Sequence, residues 1–201
     1  MLDNVKSKYI IKEIFEKIKN KRKLNIIKYN KRIKIRLDIN RQDFEIYINL
    51  KDFNNKYSTN IENIDIKELN LSEKYLGNEG LKNLVKIKFK ELNKFDLSYN
   101  KISDINILDK VNFKELKVLN LSGNRFSDIN ILKEVNFKEL KELDLSGNKI
   151  SDINTLETVN FKELNKLDLS WNKISDIYVL DKVNFKGLKK LNLSNNPINE
   201  D

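Results

Sequence analysis

Residues 113–136 read FKELKVLNLSGNRFSDINILKEVN, and residues 137–160 repeat them as FKELKELDLSGNKISDINTLETVN. Copies of this 24-residue unit begin at Phe89, Phe113, Phe137 and Phe161, and a fifth, from Phe185, runs for 17 residues to Asp201. A fixed period of this length marks a solenoid, in which each unit buries its apolar edge only against its neighbours. Such a stack presents a long ladder of side chains, which suits gripping a partner better than chemistry.

Within each unit the apolar residues keep one frame. In the copy at Phe89 it is Leu92, Phe95 and Leu97, with Asn100 three places on; later copies give Leu116/Leu119/Leu121/Asn124 and Leu140/Leu143/Leu145/Asn148. Two more follow, Leu164/Leu167/Leu169/Asn172 and Leu188/Leu191/Leu193/Asn196. The period-2 pair (Phe95 and Leu97) predicts a short strand with its apolar face inward. One Asn per coil predicts an internal amide ladder that satisfies open backbone groups where the chain turns. In the return segment, Ile102, Ile105, Leu108, Val111 and Phe113 point inward. Ile105, Leu108 and Val111 are three apart, the spacing of a short helix or 3₁₀ turn. The repeated Asp104, Asp128, Asp152 and Asp176 precede that turn and read as caps, not as metal or catalytic groups.

The frame L-x-x-L-x-L-x-x-N resembles the leucine-rich-repeat family, over Ile66 to Asp201. The N-K-I-S-D-I stretch is similar to the short repeats of internalins and of phosphatase-regulating repeat proteins, although 24 residues is longer than theirs. A divergent first repeat, Ile66-Lys-Glu-Leu69-Asn-Leu71-Ser, continues as Leu76-Gly77-Asn78-Glu79-Gly80-Leu81, similar to the ribonuclease-inhibitor-like class with a true helix there. Lys74 replaces the Asn, so the ladder is expected to begin at Asn100. The resemblance implies a curved α/β solenoid of about six coils over 61–201, with a parallel sheet on a concave, protein-binding side.

In a strand x-L-x-L-x the residues between the leucines point to that concave face. They form three columns: Glu68, Lys94, Val118, Glu142, Lys166 and Lys190; then Asn70, Asp96, Asn120, Asp144, Asp168 and Asn192; then serines 72, 98, 122, 146, 170 and 194. The next position runs Glu73, Tyr99, Gly123, Gly147, Trp171, Asn195. At roughly 4.8 Å per coil, Tyr99 and Trp171 stand about 14 Å apart with two glycines between, a notch with aromatic walls. Trp and Tyr are favoured anchors. The partner-binding set is therefore Lys94, Asp96, Tyr99, Asn120, Asp144, Lys166, Asp168, Trp171 and Asn192. Neighbouring carboxylates such as Asp144 and Asp168 raise one another's pKa or draw cations; without further ligands they read as a solvated acidic strip.

The net charge of +9 on 201 residues is uneven. Residues 1–60 hold 16 Lys/Arg and 7 Asp/Glu, and the repeats are balanced at 23 of each. Lys6–Arg36 alone carries 13 basic residues against Glu13 and Glu16, a block that can attract a polyanion such as nucleic acid, anionic lipid or an acidic protein. Residues 1–60 read as a basic, mainly helical cap module. Tyr9-Ile10-Ile11, Ile14-Phe15 and Ile18 have helical spacing, and Phe44-Glu-Ile46-Tyr-Ile48-Asn-Leu50 reads as a strand near 43–50. The stretch from Ser7 to Leu37 resembles an F-box, which implies a ubiquitin-ligase adaptor docking there, although the usual Leu-Pro opening is missing.

His and Cys are absent, which removes the commonest general base, the thiolate nucleophile, disulfides and the usual zinc ligands. No signal-peptide pattern opens the chain and no 18-residue apolar run exists to span a membrane. A cytoplasmic, non-enzymatic binding protein without cofactors is the expectation. The last coil, Phe185, Leu188, Leu191 and Leu193, is expected to expose apolar edge and to self-associate weakly.

Overall fold

The computed structural model describes residue 32 and residues 41–201, apart from 63, 112–113, 184–185 and 199–201. The chain divides into two compact units, Met1–Asp52 and Phe53–Asp201. Helix α1, Arg41–Tyr57, crosses that division. The strand expected near 43–50 is therefore a helix. Ile46 and Ile48 fit a period of two, but Ile46, Leu50, Phe53 and Tyr57 recur at helical spacing, and Ile46, Leu50 and Phe53 are the buried ones. A short apolar run fits both periods, and burial along one helical stripe decides between them.

In the second unit, Phe53 and Tyr57 stack at 4.7 Å between centroids. Asn54 fastens the loop that follows: its Nδ2 donates to Ile61 O, and its Oδ1 accepts from Ile61 N and Thr59 Oγ1. A Cβ on Gly80 would come within 3.2 Å of Tyr57 Cζ, so the last turn of α1 lies against the first coil.

Six three-residue strands follow: β1 Glu68–Asn70, β2 Lys94–Asp96, β3 Val118–Asn120, β4 Glu142–Asp144, β5 Lys166–Asp168 and β6 Lys190–Asn192. They form one parallel sheet in sequence order. Each central residue pairs with its counterpart one coil on, as in Leu119↔Leu143 and Leu143↔Leu167. The first coil takes 26 residues (Glu68 pairs with Lys94, 94 − 68) and the next four take 24, as from Lys94 to Val118 (118 − 94). The two extra residues accommodate α2, Gly77–Val85, an α-helix where later coils have only 3₁₀ turns. Those turns span Asn106–Lys110, Asn130–Lys133, Asn154–Glu157 and Tyr178–Asp181. Each is entered through the repeated aspartate, whose Oδ1 accepts from the backbone N–H two residues on. An Asx turn thus feeds each 3₁₀ turn, one residue ahead of the true cap position.

The central residues of β1–β5, together with Ile102, Leu116, Phe126, Leu140 and Ile150, are buried between sheet and turns. The amide ladder runs through them. Asn124 Nδ2 donates to Leu97 O and Leu121 O, while its Oδ1 accepts from the N–H groups of Asn100 and Ile102. Asn100 is its first rung, taking Lys74 N and Leu76 N from the divergent coil. In the last strand Leu191 is 41 % exposed, whereas Leu167 is 1 %. Phe185, assigned to the same coil edge, lies outside the described residues.

Candidate functional site

The exposed face of the sheet largely satisfies itself. In the first column, Lys94 Nζ lies 4.0 Å from Glu68 and Lys166 Nζ 3.7 Å from Glu142, each pair joining neighbouring strands in register. Exposed pairs of this kind contribute little to stability, but they neutralise the two lysines within the column. Val118 stands between the pairs as a half-buried apolar step.

The second column is committed to the chain's own turns. One Oδ1 from each of Asn70, Asp96, Asn120, Asp144, Asp168 and Asn192 accepts the backbone N–H two residues on. That Asx turn ends each strand. Only part of the serine column is offered to solvent: Ser98, Ser122 and Ser170 are buried, Ser72 and Ser146 are half-buried, and Ser194 is exposed. Where the hydroxyl is placed to do so, it donates back to the same oxygen, as Ser170 Oγ does to Asp168 at 2.6 Å. The second carboxylate oxygen links neighbours: Asn120 Nδ2 donates to Asp96, and Asn192 Nδ2 to Asp168 at 3.0 Å.

Asp168 shows the electrostatic result. Partial burial pulls its pKa upward, but the Ser170 hydroxyl and N–H, the Asn192 amide and the Lys166 charge outweigh it, so the carboxyl sits below its usual 3.8. The mutual repulsion expected from Asp144 does not dominate, because hydrogen bonds to the ionised form win. Among the described residues no three His, Cys, Asp or Glu side chains come together to hold a metal.

The next column has the unusual backbone. Glu73, Tyr99, Gly123, Gly147, Trp171 and Asn195 all adopt a left-handed φ of 55–64°. The turn out of every strand demands it, and glycine meets that demand without strain. A Tyr or Trp there costs roughly 1–2 kcal/mol. Both aromatics are nonetheless exposed, Tyr99 at 61 % and Trp171 at 66 %. Their spacing is not the open two-glycine notch expected. A Cβ on Gly123 would lie 2.5 Å from Tyr99 Cδ1, so the Tyr99 ring rests on Gly123. Around a Cβ on Gly147 only Gly123 backbone comes within 4 Å. The uncovered floor is therefore Gly147, between the ring of Tyr99 and Trp171.

One column escaped the sequence reading. The residue after each of the first four ladder asparagines is Lys101, Arg125, Lys149 and Lys173, and all four are exposed. The signal was present as N-K or N-R in four successive copies, but it sits outside the strand on which the reading centred. The basic block 6–36 and the F-box-like stretch, with the polyanion and adaptor roles attached to them, lie outside the described residues except for Arg32. No helix among the described residues is long and apolar enough to cross a membrane.

A family model for leucine-rich repeats (two copies) matches the chain at 90–134, 114–158 and 138–182. Internalin C2 of Listeria monocytogenes is similar in structure, with 28% identity and a TM-score of 0.53, over 64% of this chain and 52% of its own. An internalin F of the same organism is 29% identical over 57% of this chain and 32% of its own, TM-score 0.47. A leucine-rich-repeat protein of Leptospira interrogans is 28% identical over 57% of this chain and 28% of its own, TM-score 0.47. The chain thus spans about half the length of the internalin C2 it matches. No curated protein sequence matches it.

Proposed function

The chain is a leucine-rich-repeat protein, and we propose that it is a non-enzymatic module that binds a protein partner on the concave face of its sheet. Leucine-rich-repeat domains generally mediate protein–protein interaction. One observation carries the finer reading. At positions where glycine would be free of strain, and where two coils have it, the chain keeps Tyr99 and Trp171 exposed in a left-handed backbone. Strain retained at an exposed site points to a use there. Aromatic anchors of this type often carry more than about 1 kcal/mol each in an interface.

In this reading Tyr99 and Trp171 are the anchors, and Gly147 lets a partner side chain approach the backbone between them. Lys94, Asp96, Asn120, Asp144, Lys166, Asp168 and Asn192 form the polar surround. Most of these are already paired within the sheet, so they supply complementarity more than affinity.

The test compares the wild-type chain with a Tyr99→Ala/Trp171→Ala double variant as immobilised baits, followed by affinity measurement on any protein captured. The reading expects a partner whose affinity for the double variant falls by more than about tenfold, with the melting temperature little changed. Equal affinity for both baits would sink it, and a melting temperature lower by many degrees would make the pair structural.

A further inference from the structure

We propose that the surface recognises an acidic segment of its partner, held by the cation column Lys101, Arg125, Lys149 and Lys173 beside the aromatic pair Tyr99 and Trp171. The proposal rests on the protein-binding reading above and adds the chemistry of the ligand. Three observations carry it.

The first is placement. Tyr99 and Lys101 flank Asn100, and Trp171 and Lys173 flank Asn172, so an aromatic and a cation stand on either side of one ladder Asn in the turn that leaves β2 and again in the turn that leaves β5. The cation segments are stacked coil on coil: Arg125 N–H donates to Ile102 O, Lys149 N–H to Phe126 O and Lys173 N–H to Ile150 O. At roughly 4.8 Å per coil the four charges span about 14 Å, the length of four to five extended residues.

The second is that these charges are unspent. Arg125, Lys149 and Lys173 have no carboxylate within ion-pair distance among the described residues. Lys101 places its ammonium 4.4 Å over the ring of Tyr75 instead. On the sheet face Lys94 and Lys166 are paired, and Asp96, Asp144 and Asp168 are hydrogen-bonded, as described above. The five carboxylates and three lysines of the two charged face columns sum to −2 (3 − 5), so the cations open to a ligand are those of this column.

The third observation selects a peptide over nucleic acid. Three residues beyond each cation stands an exposed aspartate: Asp104, Asp128, Asp152 and Asp176. A wide polyphosphate would meet that acidic column as well as the basic one. A single extended strand carrying a few Asp or Glu can lie on the cations alone, with an apolar residue between Tyr99 and Trp171.

The experiment uses the full chain and a phage-displayed library of random 12-residue peptides, with oligouridylate RNA as a parallel probe. The selected pool should be enriched in Asp and Glu. Its binding should drop at least tenfold on Arg125→Glu/Lys149→Glu, fall with salt between 50 and 200 mM, and survive the control reversal Lys138→Glu/Lys162→Glu, two exposed lysines outside the cation column. A pool with no acidic excess that is still lost on Tyr99→Ala/Trp171→Ala would overturn the acidic ligand and leave the protein-binding reading standing. An acidic pool retained by Arg125→Glu/Lys149→Glu would put acid recognition elsewhere in the chain and overturn the proposal. So would failure of any peptide to enrich, or tighter binding of oligouridylate that the same double reversal abolishes.

Discussion

The ring of Tyr99 lies on Gly123, the residue one coil further along the same column, so closely that a Cβ there would sit 2.5 Å from Cδ1 and 2.6 Å from Cε1. Glycine is needed at 123 twice over, for a φ of +64° and for the ring above it.

That pairing predicts a coupling. Gly147→Ala meets only ordinary backbone contacts at 3.4 Å, so it should cost the conformational strain alone, roughly 1–2 kcal/mol. Gly123→Ala should cost more, because the ring must also lift. In a Tyr99→Ala background the two glycine substitutions should cost the same. Chemical denaturation of the wild-type protein, the three single variants and the two double variants checks this; an unchanged gap between the two sites would mean that the ring does not rest where it is placed.

The amide ladder predicts unequal rungs. Asn124 uses both ends of its amide. Asn148 donates to Leu121 O and Leu145 O, but its buried Oδ1 accepts nothing among the described residues. Asn124→Leu should therefore fall near the top of the ~1–3 kcal/mol range for stranding buried partners, and Asn148→Leu near the bottom. Urea unfolding ranks them, and a neutral Asn124→Leu would refute the ladder's role.

Thr155 occupies the position held by Ile107, Ile131 and Val179 in the other coils. It is 9 % exposed and its Oγ1 has no hydrogen-bond partner among the described residues. Val has the same shape without the desolvated hydroxyl, so Thr155→Val should stabilise the protein by about 1 kcal/mol. A lower unfolding midpoint would show that the hydroxyl is satisfied.

Asp168 sets an acid limb. Its folded pKa lies below the ordinary 3.8, so the stability it contributes is complete above that value and is lost as pH falls through the folded pKa. Asp168→Asn keeps the Asx turn, since Asn120 and Asn192 make the same bond in this column. The variant should be less stable than wild type at neutral pH, and the difference should shrink as pH falls below the ordinary carboxylate value of 3.8. A difference independent of pH would mean that the charge contributes nothing.

The sequence by itself determined the solenoid, the inward leucines, the Asn ladder and its first rung, and a short helical or 3₁₀ turn in each return segment, which the structure resolves as 3₁₀. Each of these rests on contacts between one coil and the next, and those contacts recur at a period that can be counted. Where the period is ambiguous it misled: Ile46 and Leu50 fit strand and helix alike, and only burial with Phe53 made α1 a helix. The candidate site was half legible. Tyr99 and Trp171 stand out from a column with two glycines, and their exposure follows. Only the tertiary structure decided that the second column ties its own turns, that Lys94 and Lys166 are paired in the sheet, and that Tyr99 covers Gly123. These depend on side-chain directions across neighbouring coils, and residue spacing along the chain does not carry that information.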